Sequence, residues 1–184
     1  MAGSATSCAL VQTAFGVCAL AWGEAGIVRM RLPGPGLEAA LNRLGAVERQ
    51  PMPADIAAAA DAIRRHLAGD LQDLARFRVD LSGVSAFNRR VYAVTCGVPA
   101  GRTLSYGEVA RLIGEPGAAR GVGQALGQNP VPLLVPCHRV LAADGRLHGF
   151  SAPGGIETKR RLLALEGVHV GGGPSLFDHA GLAL

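Results

Sequence analysis

Long apolar runs are missing from this 184-residue sequence. None approaches the roughly 20 residues that a membrane-spanning helix needs. The first residues also lack a basic stretch followed by an apolar segment and a small-residue cleavage site, so a cytoplasmic protein with no membrane partner is expected. Cysteine is scarce: there are four, Cys8, Cys18, Cys96 and Cys137. None forms a C-x-x-C pair, and no close Cys/His cluster has zinc spacing. Reduced thiols are the default in a chain without an export signal, so neither a disulfide nor a structural metal is expected. Lysine is nearly absent, Lys159 being the one lysine among 18 Lys and Arg residues. With the abundance of Ala and Gly, that imbalance fits coding bias better than a designed arginine surface. Charged residues make up only 17% against 49% hydrophobic, which excludes a disordered chain. The net charge of +4 permits a nucleic-acid partner without demanding one.

What is present divides near Ser82-Gly83. Residues 8–15, 17–22 and 27–32 carry strand signals, separated by turns at Gly16 and at Gly23-Glu-Ala-Gly26. Residues 37–44 and 55–67 predict helices. The second places Ile56, Ala59, Ala60, Ile63 and Leu67 on one face and stops at Gly69. Residues 76–81 alternate like a further strand. Residues 1–82 therefore read as a small N-terminal α/β domain with no chemical constellation of its own.

Residues 83–170 read as a second, mainly helical domain, and 171–184 as a flexible tail. A helix is expected over 85–96, with Phe87, Val91 and Val94 as its buried stripe. Ser105-Tyr-Gly-Glu108 is a capping-box pattern, opening a helix that Gly114-Glu-Pro-Gly117 breaks. Residues 118–126 resume a helical pattern, and the whole has the layout of a helix-turn-helix. Gly121 and Gly123 each disfavour that second helix by about 1 kcal/mol relative to Ala. Close approach of a packed neighbour or of a DNA strand would account for them. Residues 142–145 read as a turn and 148–155 as an exposed, adaptable loop. A last helix over 157–165 is closed by Gly167, just past Glu166.

The most informative stretch is Asn129-Pro-Val-Pro-Leu-Leu-Val-Pro-Cys-His-Arg-Val140. Its three prolines fix φ and remove backbone donors, so it reads as a short buried extended segment delivering Cys137 and His138 to one spot. A thiol becomes a strong nucleophile as thiolate, and a nearby imidazole is the usual proton acceptor. Adjacent residues on extended backbone face opposite ways, so a proton would pass between these two through a bridging water. A cysteine in an apolar run is more often a small buried hydrophobe; its neighbours decide the matter here.

Five segments taken together resemble the O6-alkylguanine-DNA alkyltransferase family, also called methylated-DNA–protein-cysteine methyltransferases. They are Gly101-Arg-Thr-Leu-Ser-Tyr-Gly-Glu-Val-Ala110, Ala118-Ala-Arg-Gly-Val-Gly123, Asn129-Pro130, Pro136-Cys-His-Arg-Val140 and Leu162-Leu-Ala-Leu-Glu-Gly167. They occur in the family's order and spacing. The resemblance covers residues 87–167 strongly and the first 80 or so only in general α/β layout. It implies an α/β (α+β) fold, with a ribonuclease-H-like sheet domain followed by a helical domain containing a winged-helix-like helix-turn-helix. It implies DNA repair by direct damage reversal. Cys137 would take the alkyl group from guanine O6, and also from thymine O4, in a single irreversible turnover, a suicide methyltransferase without a cofactor.

The resemblance also implies roles. His138 would take the thiol proton through a water, Glu166 would orient and stabilise its imidazolium, and Asn129 would brace the turn, as in a nucleophile–base–acid triad. The lesion must leave the stack by base flipping. Arg120 would fill the gap from the minor groove of double-stranded DNA, while Ala119, Gly121 and Gly123 would allow close approach of the helix. Tyr106 would aid rotation and donate to the guanine ring. Leu126, Pro132, Val140, Phe150 and Ser151 would line the base pocket, Val140 through its carbonyl and Ser151 through its backbone N–H. Reading in the minor groove is nearly blind to sequence. Binding would be salt-dependent, by a protein that is a monomer in solution.

There are departures from the family pattern. Gly23 and Val28 stand where certain eukaryotic members hold zinc, so no metal site is implied. Phe150 stands where several members have Tyr, Gln128 where some are basic, and His148 is an unusual polar residue in the pocket loop. Three rivals remain at this point. A non-catalytic alkyltransferase-like sensor would carry another residue in place of Cys137. A Cys-His hydrolase would need an oxyanion hole and would turn over repeatedly. A fused adaptive-response regulator would need an added domain and a metal-cysteine cluster.

Overall fold

The computed structural model describes residues 6–43, 45–147 and 149–170; the predicted tail and His148 lie outside them. Three strands come first, β1 (Ser7–Thr13), β2 (Gly16–Gly23) and β3 (Gly26–Arg31), each antiparallel to the next. Gly16 at φ 113° and Gly26 at φ 132° adopt backbone conformations that side chains disfavour, which is what the two tight hairpins require. Helix α1 (Leu37–Arg43) leads to a two-residue strand, β4 (Val47–Glu48), which pairs in parallel with β1. The sheet order is β3-β2-β1-β4. Helix α2 (Ala54–Leu67) buries the expected apolar face and adds His66 to it.

The strand expected over 76–81 is not formed. Val79 makes one isolated bridge to Ile27, with Ile27 N–H donating to Arg78 O at 3.0 Å and Asp80 N–H to Ile27 O at 2.9 Å. Turns on either side prevent a longer ladder. Phe77 N–H donates back to Leu74 O, and the Asp80 carboxylate accepts from Ser82 N–H at 2.9 Å.

The mainly helical part comprises α3 (Ala86–Cys96), α4 (Tyr106–Leu112), α5 (Ala119–Gly127) and α6 (Gly155–Leu165). Ser85 caps α3 by accepting from Asn88 N–H, and Ser105 with Glu108 forms the reciprocal capping box of α4. The buried face of α3 is Val91, Tyr92 and Thr95, with Phe87 and Val94 half-buried beside it. Two short parallel strands, β5 (Leu104–Ser105) and β6 (Val140–Leu141), tie the start of α4 to the exit from Cys137. The mixed α/β expectation holds.

One apolar cluster runs through the whole of this architecture. Leu20, Trp22 and Met30 of the sheet pack with Ile63 and Leu67 of α2, Val91 and Tyr92 of α3, Leu126 of α5 and Leu162 of α6. Each such side chain contributes about 1.5–3 kcal/mol on burial, and Cys137 is a member of the same cluster. Strand β3 also reaches the Cys137 segment directly, Met30 N–H donating to Pro130 O at 3.0 Å. Among the described residues no helix is long and apolar enough to cross a membrane.

Candidate active site

The approach to Cys137 is a tight turn rather than the expected extended segment. Val135 N–H donates to Val131 O at 2.9 Å, and Leu133 sits at φ 73°. Asn129 builds this turn from inside. Its side-chain oxygen accepts from Val131 N–H at 3.0 Å, and its Nδ2 donates to Val135 O at 2.8 Å. Cys137–Arg139 then form a single 3₁₀ turn. With three residues per turn, neighbouring side chains are about 120° apart, so Cys137 and His138 do not face opposite ways. The prolines removed backbone donors, and the Asn129 amide supplies the bonds that close the turn.

His138 and Glu166 meet as expected. The His138 Nε2 and Glu166 Oε1 atoms are 3.0 Å apart, with the two side chains 1% and 0% exposed. Arg139 joins them in a bidentate pair, Nε donating to Oε2 at 2.9 Å and Nη2 to Oε1 at 2.7 Å. A third partner comes from α2, His66 Nε2 lying 3.3 Å from Oε1. Burial alone would favour the neutral Glu166 acid, but the hydrogen bonds from His138, His66 and Arg139 outweigh it and hold the carboxyl well below the usual range. Burial pushes the His138 imidazole down, against the opposing pull of Glu166, so the ring rests neutral at pH 7. With Nε2–H directed at Glu166, Nδ1 carries the lone pair, and Nδ1 is buried without a protein partner. It is a free basic atom on the residue that follows Cys137.

Burial also raises the Cys137 thiol. The Asn129 amide, the Lys159 ammonium and the backbone N–H groups of Cys137 and His138 offset part of that rise. The resting group is a thiol surrounded by stabilisers of its anion. Lys159 is itself 1% exposed, with Nζ donating to Val140 O at 2.7 Å and lying 5.8 Å from the centre of the Tyr106 ring. Burial lowers its amine to about 8, with Cys137 pulling the other way.

A pocket of about 340 Å³ opens onto the thiol, walled by Tyr106, Gly123, Leu126, Phe150, Ser151 and Lys159. Pro132 lies instead in an adjoining hollow of about 210 Å³, which shares Cys137, Phe150 and Ser151. Val140 is fully buried and lines neither; its carbonyl already accepts from Lys159. The pocket loop is less free than expected. Phe150 packs on the main apolar cluster, and Gly34 sits so close to Pro153 that an added Cβ would overlap it.

Arg120 is exposed on α5, next to half-buried Ala119. Gly121 has an identifiable packing reason, since an added Cβ would lie 3.1 Å from Phe87 Cζ. A Cβ on Gly123 would merely touch Tyr106 at 3.8 Å. Gln128 accepts from Asn88 Nδ2 at 3.0 Å. Sequence reasoning missed Arg139, His66 and Lys159. Arg139 stood inside the quoted motif and the single lysine was noticed, but burial was not readable in either. His66 carried a signal in its position on the apolar face of its helix.

The chain is similar to known proteins along most of its length. Residues 86–168 match the family model for the DNA-binding domain of 6-O-methylguanine DNA methyltransferase. The chain is 45% identical over 126 residues to the methylated-DNA–protein-cysteine methyltransferase of Mycolicibacterium paratuberculosis, covering 68% of this chain and 74% of that protein. Among solved structures it is similar to the O6-methylguanine methyltransferase of Mycobacterium tuberculosis, at a TM-score of 0.74 and 36% identity over 88% of this chain and 92% of that one. The M. tuberculosis protein solved in complex with DNA gives the same TM-score and identity, covering 87% and 92%.

Proposed function

This chain belongs to the O6-methylguanine-DNA methyltransferase family, and on that premise we propose that it reverses O6-alkylguanine damage in double-stranded DNA by moving the alkyl group irreversibly onto Cys137. The observation that carries the reading is Cys137 lining an open pocket, with the next residue, His138, buried against Glu166. His138 Nδ1 takes the thiol proton through a water, and the imidazolium rests on Glu166. The thiolate attacks the alkyl carbon, the carbon–O6 bond breaks, and its electron pair stays with guanine. Guanine takes up one proton to regain its ordinary form from Tyr106, the phenol lining the pocket, and the proton left on His138 returns through water to the phenolate. The product is a thioether, so one lesion consumes one molecule. O4-alkylthymine is included as a second substrate.

In the same reading, α4 and α5 act as the helix-turn-helix in the minor groove, Arg120 fills the space of the flipped nucleotide, and Ala119, Gly121 and Gly123 let α5 approach the strand. Leu126, Phe150 and Ser151 surround the base, with Pro132 in the adjoining hollow. Residues 1–82 and 83–170 form the sheet domain and the DNA-binding acceptor domain of a cytoplasmic monomer.

Intact-protein mass spectrometry with peptide mapping, after incubation with an O6-methylguanine duplex, tests the reading. The expected result is one gain of about 14 Da on the Cys137 peptide, saturating at one equivalent. Lesion binding without a mass gain would favour a sensor. Product release without a lasting adduct would favour a turnover hydrolase.

A further inference from the structure

We propose that His66 is a positioning residue for alkyl transfer: from α2, outside the segments that carry the chemistry, it holds the Glu166 carboxylate and sets how readily His138 keeps a proton. The inference rests on the roles assigned above to Cys137, His138 and Glu166. The His66 and Glu166 side chains are 1% and 0% exposed, with Nε2 and Oε1 3.3 Å apart. The far side of the ring favours one tautomer. Gln72 N–H donates to His66 Nδ1 at 3.1 Å, which leaves the proton of the neutral ring on Nε2, 3.3 Å from Glu166 Oε1.

Glu166 Oε1 thus faces three donors, His66, His138 Nε2 and Arg139 Nη2, while Oε2 takes Arg139 Nε. A carboxylate that already accepts several hydrogen bonds is a weaker base. His66 therefore draws off part of the negative charge that would otherwise stabilise the His138 imidazolium. Its effect is to keep His138 neutral, and so able to accept the thiol proton, to lower pH. The charged and titratable groups facing the ring are Glu166 from the end of α6 and His138 and Arg139 from the 3₁₀ turn. On its own side, Arg65 and Asp70 pair with each other at the surface, and the Gln72 carbonyl lies 3.2 Å from Nδ1.

The test is the rate of Cys137 thioether formation against pH, on an O6-methylguanine duplex, for the full-length wild type, His66→Phe and His66→Gln. The rate falls at low pH as His138 becomes protonated. His66→Phe removes the donor, and its acid limb should move up by about half a pH unit or more. His66→Gln keeps a neutral donor, and its limb should stay with the wild type. A filler role alone would lower the plateau and leave the limb in place. That result, or equal limb shifts in both variants, overturns the inference. Nitrogen-15 spectra of the wild-type imidazoles test it without any variant having to fold: an Nε2–H tautomer for His66 supports it, and an Nδ1–H tautomer overturns it. A wild type that forms no adduct at all would overturn the functional reading and this inference together, whereas an adduct with coincident limbs overturns this inference alone.

Discussion

Replacing Glu166 by Gln changes one charge and almost no volume, and its outcome depends on Arg139. That guanidinium is 9% exposed, donates twice to Glu166 and once to Val98 O, and has no other carboxylate partner among the described residues. Neutralising one member of a buried pair strands the other, which typically destabilises by about 3–5 kcal/mol. A domain is stable by only about 5–15 kcal/mol. In a chain of this size each kcal/mol lowers Tm by about 2–4 °C, so Glu166→Gln should unfold about 6–20 °C early at pH 7. The pH dependence has a definite sign. Glu166 is held below its unfolded value, so its contribution is complete above the ordinary carboxylate range and fades as pH falls toward the folded value. The deficit of the variant should be greatest near neutrality and shrink below about pH 4. Scanning calorimetry of both proteins across that range measures it. Adding Arg139→Met to Glu166→Gln removes the stranded charge and should recover at least part of the loss. A deficit under about 3 °C at pH 7, or one that widens on acidification, would refute the reasoning.

Lys159 offers the opposite trade. Its amine is lowered by burial to about 8, so the fold loses stability as pH falls from the unfolded lysine range toward that value. Lys159→Met keeps the chain length and removes the buried charge. Its Tm at pH 7 should equal or exceed that of the wild type while thioether formation slows; a clear drop in Tm would mean that the Val140 bond dominates. Arg120 is exposed on α5, and Arg120→Ala should slow repair of a duplex lesion by about tenfold, or about 1.4 kcal/mol, while leaving reaction with free O6-benzylguanine nearly unchanged. Equal losses on both substrates would make Arg120 a structural residue.

Local chemistry was legible in the sequence wherever one residue type settled it. The capping box at Ser105 and Glu108, the hairpin glycines and the apolar face of α2 needed no tertiary partner to declare themselves. The same rules failed where an interaction between distant segments decided the outcome. An alternating pattern at 76–81 could not reveal that turns at either end would allow a single bridge. The proline-rich run before Cys137 looked extended because its turn is closed by an Asn129 side chain, which leaves no trace in hydrophobic periodicity. At the site, the Cys-His-Arg motif supplied the candidate nucleophile and base, but the convergence of His66 and Arg139 on Glu166 spans 100 residues of chain and exists only once the core has closed.

The position of Cys137 has a consequence for the molecule after it has reacted. The thiol is 5% exposed and packed in the cluster that unites sheet and helices. In the proposed reaction an alkyl group delivered there is a lasting addition between the pocket and the packed cluster, and the part of it that presses on the cluster acts as a small-to-large core substitution made after folding. Overpacking of that kind destabilises by about 1–3 kcal/mol, and transient opening, with cleavage by proteases, rises as stability falls. Spent copies would therefore melt earlier and be digested sooner than unreacted ones, so the population ages by use rather than by time.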